Sequence, residues 1–161
     1  MRFSHAVSGF GTSGCITGQF KFDVYDEYGM YGTALLEDVP VRLAEKNDMV
    51  LPSRTYYISK RSISKNVCHF TAYDVMSRVE QDYGNVTTLF GDEIPCGNVL
   101  EQIKVQCGFT SVGSSGGGLE YIKFTREQLE GKTVRNVLDM ISEAMCGVWI
   151  TTKDDGIRRC K

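Results

Sequence analysis

The sequence predicts an α+β protein: strands fill the first half of the chain, and two helices with a closing β-hairpin fill most of the second. In the first half, apolar and polar residues alternate with period two, most clearly at Gln19-Phe20-Lys21-Phe22-Asp23-Val24. In the second half, apolar residues recur at helical spacing, at Val99, Leu100, Ile103 and Cys107 and again at Val134, Val137, Leu138, Ile141 and Met145. The chain is 161 residues long with 42% hydrophobic residues, enough to build the core of one domain or two small ones.

The strands come first. Phe20, Phe22 and Val24 share one buried face, and Asp26-Glu27-Tyr28-Gly29 supplies a turn. Val39-Pro40-Val41-Arg42-Leu43 alternates again, and Pro40, which has no ladder donor, suits a strand start or an edge. Thr55-Tyr56-Tyr57-Ile58-Ser59 and Asn66-Val67-Cys68-His69-Phe70-Thr71-Ala72 read as two further strands linked through Arg61-Ser62-Ile63-Ser64. Short strands separated by turns predict a sandwich or barrel.

The helices follow. Asp74 is placed to cap a short helix in which Val75, Met76 and Val79 share a face, with Gly84 ending the segment. Pro95 opens an amphipathic helix, and Gly108 sits where a left-handed C-cap is wanted. Ser111 to Gly118, rich in glycine and serine, is expected to be a mobile loop. Thr125-Arg126-Glu127-Gln128 has the spacing of a capping box, Thr133 caps the longer helix, and Gly147 stops it. Val148-Trp149-Ile150-Thr151-Thr152 and Ile157 to Cys160 form a hairpin, with Gly156 expected at positive φ.

Composition argues against several chemistries. With 18 basic and 20 acidic residues the formal charge is −2, so the chain lacks the net positive charge of most nucleic-acid binders. No apolar run approaches the ~18 residues that span a bilayer, and the N-terminus has no apolar signal region, so the protein is expected to stay inside a cell, at least at first. The six cysteines, at 15, 68, 96, 107, 146 and 160, form no CxxC pair and read as free thiols. Only His5 and His69 could join them on zinc, and Cys68 and His69 are neighbours that a strand would point to opposite faces. The same divergence argues against a Cys68–His69 nucleophile and base.

Gly9-Phe10-Gly11-Thr12-Ser13-Gly14 lacks the strand-then-helix context of a phosphate loop, and Gly116-Gly117-Gly118 lacks a following lysine. The carboxylates Asp23, Asp26, Glu27, Glu37 and Asp38 sit in or beside expected turns. Tyr56, Tyr57, Phe70 and Tyr73 are strand aromatics, better explained by packing than by base or sugar stacking. No catalytic residue, cofactor or metal is expected.

The order of segments carries more information. Thr55-Tyr56-Tyr57-Ile58-Ser59, followed after a short gap by His69-Phe70-Thr71-Ala72-Tyr73-Asp74-Val75-Met76, resembles the strand–turn–strand and "F-T-A-Y-D" junction of bacteriophage tail hub proteins, found at the tail tip or baseplate of phages and prophages. Gly97-Asn98-Val99-Leu100-Glu101-Gln102-Ile103 with Cys107-Gly108-Phe109 is similar to that family's "T-L-G-x-I-L" helix, although Pro95-Cys96-Gly97 replaces the threonine cap. Lys132-Thr133-Val134-Arg135-Asn136-Val137-Leu138, continuing to Ala144-Met145-Cys146-Gly147 and Asp155-Gly156, is similar to its "T-x-R-x-V-L" helix and "D-G" hairpin.

The resemblance implies a β-barrel module of the tail-tube and hub type over residues 1–84. A small α+β module, with two main helices and a C-terminal β-hairpin, follows over 85–161. It implies a structural, non-enzymatic role: a hub, homotrimeric in the assembled particle, adapting tail-tube or distal-tail proteins to tip proteins, with no nucleic-acid or membrane partner. The expected location is the bacterial cytoplasm during assembly, then the virion tail. Hub proteins of this kind continue beyond the "D-G" hairpin, so a chain ending at Lys161 is expected to be an N-terminal piece or a truncated product. Subunits of a ring need an apolar rim, and Met30, Tyr31, Leu35 and Leu36 lie in a segment too apolar for a plain connector. The rival readings are a cell-wall hydrolase and a carbohydrate- or nucleic-acid-binding β-barrel.

Overall fold

The computed structural model describes residues 3–8, 14–31, 38–42, 55–84, 93–115 and 117–160. Its fold is a mixed α+β one with a curled five-stranded sheet. That sheet is antiparallel throughout, in the order β1 (Phe3–Ser8), β3 (Thr17–Tyr25), β6 (Val67–Tyr73), β5 (Thr55–Ser64), β4 (Pro40–Arg42). The period-two pattern explains it. Phe20 lies opposite Ala72, Phe22 opposite Phe70 and Val24 opposite Cys68, so one face collects the apolar side chains. The Phe22 and Phe70 rings stack with centroids 5.0 Å apart, and Tyr56 and Ile58 join them in a buried cluster.

The β5–β6 hairpin departs from the expected outline. Arg61-Ser62-Ile63-Ser64 is not a link between strands but the outer half of β5, and the turn falls at Lys65-Asn66, where Lys65 takes φ 55°. A β-bulge between Ile58 and Lys60 shifts the register, and every residue from Ser59 to Ser64 is exposed, so no alternation marks this stretch as a strand. At the other end of the hairpin, Asp74 caps a 3-10 helix (Val75–Glu80) as expected. Gln81, which returns to extended backbone, ends it rather than Gly84.

A four-stranded sheet, β2 (Gly14–Cys15), β10 (Val148–Thr151), β11 (Ile157–Cys160), β8 (Val112–Ser114), forms the second layer, beside a two-stranded ribbon of β7 (Glu93–Pro95) and β9 (Lys123–Thr125). Helices α1 (Cys96–Cys107), α2 (Arg126–Leu129) and α3 (Val134–Met145) pack here, with a short 3-10 turn at Leu119–Tyr121. Their apolar stripes meet Trp149, Ile157 and the buried Val75, Met76 and Val79 in one cluster. The expected capping box forms at Thr125 with Gln128, and Thr133 caps α3 as expected, in a second box with Asn136. At the start of α1, where no threonine cap exists, the Cys96 amide donates instead to the Ile122 carbonyl at 2.9 Å. Residues on both sides of position 84 build this cluster, and β2, near the N-terminus, pairs with β10.

Three further expectations need correction. The stretch Ser111 to Gly118 is not a plain mobile loop, because Val112, Gly113 and Ser114 run parallel to Ile157, Arg158 and Arg159 as β8. The Ile157 amide donates to the Ser111 carbonyl and the Ser115 amide to the Arg159 carbonyl, so the sheet ladder supplies the order that the composition withholds. In the final hairpin Asp155, not Gly156, takes positive φ, at 57°. Gly156 is needed because a Cβ there would lie 2.8 Å from the Ser111 carbonyl oxygen. Likewise Cys146, not Gly147, takes the left-handed position after α3, while a Cβ on Gly147 would come within 2.5 Å of the Cys160 carbonyl oxygen.

Leu138 is fully buried midway along α3, and its carbonyl accepts the Trp149 indole N–H at 2.9 Å. Leu138→Ala is expected to cost ~2–5 kcal/mol of stability in chemical denaturation; a loss under ~1 kcal/mol, below the range for a buried leucine, would contradict this packing.

Candidate functional site

The geometry that bears on the expected interface is how the curled sheet is held and which side chains it leaves exposed. One end is fixed by Asp74, only 2% exposed. Its Oδ2 accepts from the Gly18 amide at 2.8 Å and the Thr151 hydroxyl at 3.1 Å, while Oδ1 accepts from the Met76 amide. One carboxylate therefore ties β3, the 3-10 helix and β10 together. Gly18 is required at this point, since a Cβ would sit 2.8 Å from Asp74 Oδ2.

Two further ties flank the first. Arg135, on α3, donates to the Cys15 carbonyl and the Thr17 hydroxyl and pairs with Glu80 at 2.6 Å. The Arg78 guanidinium lies 4.5 Å from the centre of the Tyr57 ring, and the Tyr57 hydroxyl donates to Asp155 at 3.1 Å. Burial, then the Asp155 charge, pushes the Tyr57 hydroxyl above its usual pKa, so it stays a donor.

The opposite end of the sheet is organised by a second buried aspartate. Asp26, 7% exposed, accepts from the Met30 amide at 2.8 Å and the Tyr31 amide at 2.9 Å, and its own amide donates to the Asn66 carbonyl. These bonds brace the turn after β3 as far as Tyr31. Met30 and Tyr31, two of the expected interface residues, are exposed at 64% and 49%. The other two, Leu35 and Leu36, lie outside the described residues. The same end of the sheet also exposes Tyr25, Tyr28 and Ile63, which the sequence reading missed. Tyr25 was recoverable, because the alternation that buries Phe20 and Phe22 and half-buries Val24 leaves residue 25 on the open face.

Cys68 and His69 diverge as adjacent strand residues should. Cys68 is buried and its thiol donates to Asp26 at 3.5 Å; burial first, then that bond, raises its pKa and holds it protonated. His69 Nδ1 meets Asp23 Oδ1 at 2.7 Å across the β3–β6 pair on the other face. Burial, reinforced by the Asp139 carboxylate, also raises Cys15, so neither thiol has the electropositive, accessible surroundings of a nucleophile. Among the described residues no cluster of three or more His, Cys, Asp or Glu side chains is placed to share a metal ion, and no helix is long and apolar enough to cross a membrane.

Replacing Asp26 by alanine strips acceptors from two loop amides and from Cys68. The expected result is a stability loss of ~1–3 kcal/mol and faster hydrogen exchange at the Met30 and Tyr31 amides. Unchanged exchange at both amides would show that the carboxylate does not hold the loop.

No known family profile and no curated protein sequence matches this chain. Among solved structures, its fold matches the 43 kDa tail protein of prophage MuSo2 from Shewanella oneidensis, with a TM-score of 0.60 and 9% sequence identity. The match covers 99% of this chain and 48% of that one, so this chain spans about half the length of its structural neighbour. At that identity the likeness is one of fold, and it embraces the curled sheet and the helical layer together.

Proposed function

We propose that this chain is a structural component of a phage or prophage tail, placed in the hub at the tail tip or baseplate, where it adapts tail-tube or distal-tail proteins to tip proteins. The observation that carries this reading is the fold match over 99% of the chain to a prophage tail protein. The residues behind the resemblance to tail hubs support it, because they stand at the joints of the molecule. In Phe70-Thr71-Ala72-Tyr73-Asp74, Phe70 and Ala72 fill the sheet's core and Asp74 makes the three-way tie. Thr133 and Arg135 cap α3 and bind it to Cys15 and Thr17.

In this reading the curled sheet forms part of a tail-tube-type barrel, the stretch of sequence with Met30, Tyr31, Leu35 and Leu36 meets a neighbouring subunit, and the assembled hub is a homotrimer. Assembly takes place in the bacterial cytoplasm and the product resides in the virion tail. The test is co-sedimentation with the purified tail-tube, distal-tail and tip proteins encoded beside it. Association is expected, and Met30→Asp with Tyr31→Asp should weaken it by about tenfold or more, as loss of an apolar anchor does. No association with any of these proteins, together with saturable glycan binding or peptidoglycan turnover lost on Cys68→Ala or His69→Ala, would overturn the proposal in favour of a wall-binding or wall-cutting domain.

A further inference from the structure

Asp139, midway along α3, stands half-buried with its Oδ1 enclosed, and among the described residues nothing donates a hydrogen bond to that atom. The oxygen faces β2: a Cβ built on Gly14 would lie 3.2 Å from it. A carboxylate oxygen shut away from both water and donors disfavours the ionised form, and relief comes only by taking up a proton or by lifting the cover. The cover here is slight. Strand β2 is two residues long, and a short parallel ladder to Val148 and Trp149 holds it, continued by the Ile16 amide, which donates to the Trp149 carbonyl at 3.0 Å.

The charges around Asp139 leave this oxygen without a partner. Arg135, one turn earlier on α3, directs its donors to the Cys15 carbonyl, the Thr17 hydroxyl and Glu80 on the 3-10 helix. Glu143, one turn later, adds a like charge, and Lys132 shares with both carboxylates the open groove that Asp139 borders on its other side. Burial is the largest influence and raises the Asp139 carboxyl above its usual 3.8. Arg135 and the nearby Cys15 thiol and amide pull the other way without supplying a bond to Oδ1.

We propose that Asp139 is a proton-operated latch on β2: protonated, it lets the strand seat against α3 and β10, and ionised, it loosens the strand so that the carboxylate rehydrates. Protonation comes more easily with β2 seated than with β2 lifted, so acid favours the seated form. That preference fades as pH rises through the folded-state value above 3.8. Strand β2 leads within three residues to Gly18, where Asp74 fastens the curled sheet, so the latch bears on the joint between sheet and helical layer. It is a property of the isolated chain and does not depend on the tail reading.

The experiment is amide hydrogen exchange of the purified chain from about pH 4, near the ordinary carboxylate value, to about pH 8, each rate being corrected for the intrinsic effect of pH. The Ile16 amide reports on β2. The Ser115 amide, which donates to the Arg159 carbonyl beside β8 at the opposite edge of the same sheet, is the reference. Protection of Ile16 relative to Ser115 is expected to fall by about fivefold or more as pH rises, the low end of what an unsatisfied buried group costs. Asp139→Asn and Asp139→Ala both remove the titrating group, so the ratio should stay level with pH in each, whereas Glu143→Gln should keep the dependence. A wild-type ratio that is level or rises with pH, a dependence that persists in both Asp139 variants, or one that vanishes in Glu143→Gln would each overturn the proposal.

Discussion

Nearly everything about this fold depends on one buried carboxylate. Asp74 ends β6, starts the 3-10 helix and reaches both Gly18 on β3 and Thr151 on β10. A carboxylate enclosed at 2% exposure is costly unless its lone pairs are met, and here backbone amides and a hydroxyl from three separate elements meet them. The cost of burying the charge is therefore met where β3, the 3-10 helix and β10 come together at one point. The Arg135 and Tyr57–Arg78–Asp155 contacts work on either side of this tie, and they are polar contacts at the margin of two apolar clusters.

Asp26 repeats the device at the far end of the sheet with a different purpose. There the carboxylate takes two amides of its own turn and the Cys68 thiol of β6, so what it fixes is the turn against the strand beside it. Met30 and Tyr31 are held outward beside the exposed Tyr25 and Tyr28, so apolar side chains gather at this end of the sheet. The sheet is thus tied to the helical layer at one end and carries an exposed apolar group of side chains at the other.

How far the sequence could be read follows the range of the interactions involved. Helix α3 was legible because its stripe, its Thr133 cap and its apolar partners lie within a few turns of each other. The buried face carrying Phe20 and Phe22 was legible for the equivalent reason in a strand, whereas its stacking against Phe70, 48 residues past Phe22, was not. The strand β8 was not, because the ladder that orders it comes from Ile157 to Arg159, more than 40 residues away. The outer half of β5 was hidden by a bulge, and the roles of Gly147 and Gly156 by close approaches that only the folded chain creates. Of the candidate interface, the apolar character of Met30 and Tyr31 could be read directly, whereas Ile63 became visible only once its segment proved to be strand. Asp74 was legible as a helix cap, but its bond to Thr151, 77 residues on, was not.

The central claim is that the Asp74 tie makes the curled sheet and the helical layer one mechanical unit. Trp149, the sole tryptophan, is buried in the helical layer and gives that half its own fluorescence signal, while far-ultraviolet circular dichroism follows the whole chain. Urea unfolding read by both probes should coincide in wild type. In Asp74→Ala the two transitions should separate, with ~2–4 kcal/mol lost from the loss of a helix cap and of charge-assisted buried hydrogen bonds. Coincident transitions in the variant, with stability within ~1 kcal/mol of wild type, less than a buried charged hydrogen bond is worth, would contradict the account.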